Sequence, residues 1–410
     1  MGLKLRLTIM NFLQYAIWGA WLISLGAYLG GNLKFEGFQI GSFFATMGIA
    51  SLFMPAIMGI IADRWIPAQK LLGICHILAA GFLIAAAPQK EYGTLYALIL
   101  GSVMFYMPTI ALSNSVAYNA LTKGGLSTIK DFPPIRVWGT VGFIVSMIAV
   151  DLLGFASSEN QLYMSAAIGI VLGIYSFSLP NCEICVNKEQ KSWVDHMGLR
   201  AFALFKQKKM AIFFVFSMML GMSLQITNAF ANDYLTNFFG KNPDYQGTFG
   251  VEHANILISL SQASETLCIL LIPFFLRKFG IKKVMLISML AWVLRFALLG
   301  AGNPGDGVWM LILSMLVYGV AFDFFNISGS LFVENETDAS IRSSAQGVFM
   351  IMTNGFGAFI GSYVAGWVVD FAGWPDSWYV FAGYSLLVAL VFAVIFRYKH
   401  DPAKFEKVSH

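Results

Sequence analysis

Long apolar runs separated by short charged or Pro/Gly-rich breaks dominate the chain. Twelve of them are long enough for a helix to cross a hydrocarbon core, which takes roughly 20 residues. They read as residues 7–30, 39–62, 68–88, 93–120, 134–155, 160–180, 209–238, 252–276, 282–302, 307–333, 343–372 and 377–397. Together they consume most of the 410 residues, so no large water-soluble domain is left over and function must reside in the spans or in short loops. The pattern predicts an all-α polytopic membrane protein with twelve transmembrane helices. The first run holds Asn11, Gln14, Trp18 and Trp21 with no small-residue cleavage pattern behind it, and so reads as a span rather than a removed leader.

Composition agrees, with 58% hydrophobic and only 12% charged residues against about 25% charged in a soluble domain. Disorder, a collagen repeat and a disulfide scaffold are excluded. Basic residues set the orientation: 21 of the 26 Lys and Arg fall at the N-terminus, in every second break and in the C-terminal tail. Only Lys34, Lys90 and Lys241 fall in the intervening breaks, while Arg136 and Arg295 lie at or within spans. The positive-inside rule therefore puts both termini in the cytoplasm. The net charge of +4 then reflects the anionic inner leaflet and calls for no nucleic acid. Cys182 and Cys185 have Cys-x-x-Cys spacing but no second ligand pair nearby, so they read as reduced thiols in a loop rather than a metal site.

The longest hydrophilic break, 181–208, divides the chain into an N-terminal bundle (1–180), a central cytoplasmic loop and a C-terminal bundle with tail (209–410). Arg64 and Lys70 of the first half recur as Arg277 and Lys283 of the second, each time after an even-numbered span. Gly59, Asp63 and Arg64 form a G-x-x-x-D-R turn after the second span. A six-plus-six chain with this turn resembles the major facilitator superfamily, in which the acid and the arginine pin neighbouring helix ends at the cytoplasmic side. The resemblance implies two six-helix bundles around a central cavity, substrate binding near the midplane and alternating access by rocking.

Polar groups inside spans are costly and normally face a cavity or a partner. Arg136, Glu265, Arg295 and Asp323 are the charged ones. Arg136, Thr140 and Phe143 recur at i, i+4 and i+7, so one helix face carries a cation, a hydroxyl and a ring. Gln225 with Asn228, and Gln262 with Glu265, share faces at i, i+3, and Tyr318 with Phe322 at i, i+4, with Asp323 beside them. Arg295 reads as a structural partner of Asp323 or of a helix carbonyl. Asn11, Asn114, Asn326 and Asn354 are balanced between bridging helices and facing a cavity, and Trp18 and Trp21 read as packing or interface surface. The five histidines are scattered, and no nucleophile motif or paired metal ligands occur within the spans, so an enzyme is disfavoured. A flat ring with donors and acceptors on its edge, joined to a hydroxyl-rich moiety, fits these side chains. That describes a nucleoside, and a sugar less well. A single cation on the cavity face disfavours phosphate esters.

The strings NFLQYAIWGAW (11–21), DFPPIRVWGTVGF (131–143), LQITNAF (224–230), SQASET (261–266), AFDFFNISGSLFVE (321–334) and AQGVFMIMTNGFG (345–357) closely resemble the bacterial nucleoside:proton symporter family of the major facilitator superfamily. The resemblance implies an inner-membrane importer of purine and pyrimidine nucleosides driven by proton entry. It needs no cofactor beyond the proton as coupling ion, and works as a monomer in the lipid bilayer. Its binding positions fall here on Arg136, Thr140, Phe143, Gln225, Asn228, Gln262, Glu265, Tyr318 and Phe322. A transported proton needs a desolvated carboxylate, which points to Asp323 with Glu265. The alternatives are a facilitator carrying a sugar or another small polar solute, and a nucleoside sensor that transports nothing.

Overall fold

The computed structural model describes residues 2–182, 199–337 and 341–398. Cys185, His196 and most of the expected central loop, with the C-terminal tail beyond 398, lie outside the described residues. Among the described residues every regular element is helical, mostly α with short 3-10 and π segments. Nine helical runs there are long and apolar enough to cross a membrane, from Gly37–Arg64 to Asp376–Ile395.

Two expected features, the first span and the loop between the eighth and ninth, look different in the structure. The first was read as continuous over 7–30. Instead the helix Leu3–Gly19 ends, a turn follows, and the chain resumes as Leu25–Ala27 and a π turn, Tyr28–Asn32. At the break Trp21 N–H donates to the Trp18 carbonyl, a tightened i−3 bond of 3.3 Å. The Ser24 hydroxyl beside it donates to Gln161 Oε1 at 3.0 Å. The eighth and ninth spans, expected with a loop between them, are instead two helices that meet at a kink within Ala254–Ala301. Gly280, at φ +76°, is the single non-helical residue inside it. This conformation costs a glycine nothing and an ordinary L-residue a good deal, so one position does the work of a loop.

Helix ends are fixed by local chemistry. Glu36 and Gln39 form a reciprocal capping box at the start of Gly37–Arg64. The Glu91 carboxylate accepts from Thr94 N–H at 2.7 Å and Gly93 N–H at 2.8 Å, starting Tyr92–Lys123. Those bonds, Thr94 foremost, hold the exposed Glu91 carboxyl below the usual carboxylate range. Ser127 caps Thr128–Leu152 by accepting from Lys130 N–H at 3.3 Å.

Two compact units emerge from the contacts, one of described residues up to 182 with Asn228–Asp233, the other of 199–227 and residues from 234 on. In the first, Leu3–Gly19 packs along Thr128–Leu152, and Ala68–Ala86 along Tyr92–Lys123 and Asn160–Ser176. In the second, Ala254–Ala301 packs along Val308–Glu336 and Asp376–Ile395. Close approach rests on small residues: a Cβ on Gly142 would meet the Phe12 carbonyl oxygen at 2.1 Å, and one on Gly319 the Ser264 carbonyl oxygen at 2.6 Å. Phe213, packed on Phe332 at 4.6 Å and on Phe349 at 5.3 Å, anchors the second core. Large apolar side chains also face outward, including Leu270 (74% exposed), Phe371 (81%) and Val394 (74%). Such a surface is unfavourable in water and suited to lipid. The chain is a multi-pass membrane protein.

Candidate functional site

In the first unit the candidate side chains lie along Thr128–Leu152. Pro133 and Pro134 lie inside it in the second turn, past the unpaired N–H groups of the helix start, so each removes one i→i−4 backbone bond. Arg136 follows immediately. It is half-buried, and its guanidinium carbon lies 3.9 Å from the centroid of the Tyr15 ring on the neighbouring helix. Gly139 makes the room: a Cβ there would meet the Tyr15 ring at 2.6 Å and Arg136 Nη1 at 2.8 Å. Thr140 is half-buried and Phe143 buried on the same face. A cation–π contact of this kind engages the charge of the guanidinium without requiring its N–H hydrogen-bond donors.

Tyr15 is not among the residues singled out from sequence, and neither is the network behind it. Gln14 is fully buried. Its Nε2 donates to Thr109 Oγ1 at 2.8 Å, and its Oε1 lies 2.8 Å from His76 Nε2. Tyr106 Oη donates to the Gln14 backbone carbonyl at 2.7 Å. Three helices thus meet on one glutamine, one residue before the ring under Arg136. His76, one of five scattered histidines in the sequence, is buried here. The only sequence signal was the co-occurrence of buried-type polar residues in three separate apolar runs. Trp18 and Trp21 are packing surface, Trp18 edge-on to Tyr106 at 5.5 Å and Trp21 buried. Asn11 is buried, its Nδ2 donating to Leu7 O of its own helix at 3.0 Å, while its Oδ1 has no hydrogen-bond partner among the described residues.

In the second unit, Tyr318 and Phe322 stack with centroids 5.8 Å apart and planes 8° apart, and Trp292 stands edge-on to Tyr318 at 6.1 Å. Tyr318 hydrogen-bonds with Gln262 and lies within electrostatic reach of Glu265, Arg295 and Asp323. The expected residues of Ala254–Ala301 and Val308–Glu336 are therefore brought together around one phenol. Asp323 is 3% exposed and in electrostatic contact with Glu265, and its Oδ2 has no hydrogen-bond partner among the described residues. Gln225 is buried with an unpartnered Oε1, while Asn228, half-buried three residues further along Lys208–Asp233, belongs to the first unit.

Arg295 takes the second of its two expected partners. Its Nη1 donates to the Ser314 carbonyl at 2.6 Å, and its guanidinium lies 4.8 Å from the Tyr318 ring centroid. Gly59, Asp63 and Arg64 lie in the last turns of Gly37–Arg64, with both charged residues exposed.

Comparison with known proteins adds the context. A family profile described as "Nucleoside H+ symporter" matches residues 1–401. The "Nucleoside permease NupG" of Escherichia coli strain K12 is 48% identical over 419 residues, covering 100% of both chains. The "Xanthosine permease" of the same organism is 49% identical over 417 residues, covering 100% of this chain and 99% of that one. Among solved structures, "Crystal structure of nucleoside transporter NupG (D323A mutant)" superposes with a TM-score of 0.94 at 48% identity, over 97% of this chain and 100% of that one.

Proposed function

From the premise that this chain belongs to the nucleoside H+ symporter family, we propose that it imports purine and pyrimidine nucleosides across a bacterial inner membrane by alternating access, each coupled to proton entry. The observation that carries this reading is the pairing, inside apolar helices, of hydrogen-bonding side chains with flat aromatic surface: Arg136 on Tyr15, and Gln262 on Tyr318 stacked with Phe322. A nucleoside presents matching ring and hydroxyl groups.

Arg136, Thr140, Phe143, Gln225, Asn228, Gln262, Glu265, Tyr318 and Phe322 are the side chains that contact it in this reading. Asp323 and Glu265 handle the proton: each lies inside its own apolar helix, and Asp323 is buried with an unpartnered oxygen, a setting that makes proton uptake sensitive to its surroundings. Gly59, Asp63 and Arg64 form the cytoplasmic turn. A transporter of this kind makes and breaks no covalent bond in its cargo, so the protein is not an enzyme, and the proton replaces any cofactor.

The reading includes the complete six-plus-six major facilitator fold, with halves 1–180 and 209–410. Leu3–Asn32 and Asn160–Ser176 serve as spans beside the nine long runs, and Ala254–Ala301 counts as two because of Gly280. The basic residues favour cytoplasmic termini, and one chain is the working unit.

The test is uptake of labelled uridine and adenosine into proteoliposomes with and without an acid-outside gradient. Accumulation above the external concentration that collapses with a protonophore is the expected result. Equilibration without accumulation would mean facilitated diffusion, and absence of both flux and binding would overturn the reading.

A further inference from the structure

A small cavity lies wholly within the second unit, bordered by Trp292, Phe322, Phe325, Asn326, Thr353 and Asn354 among others. It adjoins the stacked Tyr318–Phe322 pair through Phe322 itself. Asn326 follows Phe322 by four residues on the same helix, which puts the amide on the same face about 5.4 Å further along.

Three observations set this cavity apart from a packing gap. First, Asn326 is half-buried and makes no side-chain hydrogen bond among the described residues, and the Asn354 amide reaches only the Met350 sulfur, at 3.9 Å. Each amide therefore has a carbonyl and an NH₂ to offer a ligand. Second, Thr353 and Asn354 belong to a π-helical segment, Ile351–Gly357, inserted between the α-helices Arg342–Met350 and Ala358–Ala372. A π segment winds more residues into each turn and re-aims the side chains it carries, and such segments are frequent at functional sites. Third, that segment is held in place from behind: a Cβ on Gly221 would meet the Thr353 carbonyl oxygen at 2.1 Å. Only a glycine admits the π segment at this distance.

We propose that this cavity is the nucleobase subsite, in which Asn326 and Asn354 hydrogen-bond the polar edge of the base while Phe322 and Phe325 flank its apolar faces. The inference rests on the nucleoside reading above and assigns base selectivity to residues outside the nine binding positions that the family resemblance implies. An amide turns over to exchange donor for acceptor. Two such amides at one edge accommodate both carbonyl-bearing and amino-bearing bases, and their removal changes the balance between the two.

The experiment is competition against labelled uridine in proteoliposomes, using unlabelled uridine, cytidine, inosine, adenosine and ribose, on the wild-type chain and on Asn326→Leu and Asn354→Leu. Leucine keeps the volume and removes the donor and acceptors. The expected result is that the ratio of inhibition constants for uridine against cytidine, or for inosine against adenosine, changes by about tenfold, with ribose competition unaltered. A common weakening of all competitors, or no change, would overturn the subsite and leave the nucleoside reading intact. Failure of every nucleoside to compete in the wild-type chain would instead overturn the nucleoside reading itself. Should the leucine variants not fold, as read by thermal melting in detergent, Asn326→Ser and Asn354→Ser decide by the same ratios.

Discussion

The guanidinium carbon of Arg136 lies over the ring of Tyr15, 3.9 Å from its centroid, in a slot that exists because residue 139 is a glycine. An arginine inside an apolar helix is thereby held by a neutral ring rather than by a carboxylate. Ring stacking offsets part of its desolvation without consuming its hydrogen-bond donors.

Replacing Tyr15 tests this arrangement. Tyr15→Phe keeps the ring and is expected to leave the uptake KM for uridine within about twofold of wild type. Tyr15→Leu removes about 0.5–2 kcal/mol of cation–π attraction, roughly a two- to thirtyfold rise in KM. Gly139→Ala, which pushes a methyl group into both partners, is expected to be at least as damaging. Equal KM values for the three variants would exclude a role for the stack in binding.

A carboxylate buried to the extent of Asp323 invites the test of proton coupling. Asp323→Asn is expected to abolish uphill uridine accumulation while counterflow exchange persists. Undiminished accumulation in proteoliposomes would remove Asp323 from the proton path.

Glu265 shares the surroundings of Tyr318 with Gln262. Glu265→Gln is therefore expected to weaken nucleoside binding itself, by about tenfold for one charge-assisted hydrogen bond. Isothermal calorimetry on the purified protein reads this directly. An unchanged Kd would assign Glu265 to conformational coupling alone.

His76→Ala leaves Gln14 Oε1 buried without the ring nitrogen it faces, at a cost of about 1–3 kcal/mol, and is expected to lower the melting temperature in detergent. His76→Gln, with an amide donor in nearly the same place, is expected to recover part of the loss. Equal melting temperatures for the alanine variant and wild type would show that the network contributes no stability.

The Glu91 cap gives a pH signature. Its folded-state carboxyl is depressed below the usual range, so its contribution is present above the ordinary glutamate value of about 4.3. That contribution is lost as pH falls through the lower, folded-state value. Glu91→Gln is expected to melt below wild type at pH 7, the gap closing toward pH 3. A gap independent of pH would show that the charge plays no part.

How much of this was legible beforehand varies by residue. The i, i+4, i+7 pattern put Arg136, Thr140 and Phe143 on one face, because helical periodicity is a local property. It gave no hint of Tyr15, more than a hundred residues away, or that Gln14 joins His76 and Thr109, because those contacts depend on which helices pack together. Arg295 was readable as a structural cation, but only the fold chose the Ser314 carbonyl over Asp323. Gly280 was expected within a loop, and in the structure one left-handed glycine supplies the break.

By itself the sequence determined the solvent this protein folds in, the approximate extent of its helices and the kinds of side chain it carries into hydrocarbon. All three follow from hydrophobic length and the cost of burying polar groups. Tertiary structure alone decided which of those polar groups are satisfied and which are left with open valences. Hydrogen-bond satisfaction is a property of neighbours: Gln14 and Gln225 are the same residue type in similar apolar runs, yet the first is clamped by Thr109 and His76 and the second keeps a buried, unpartnered oxygen.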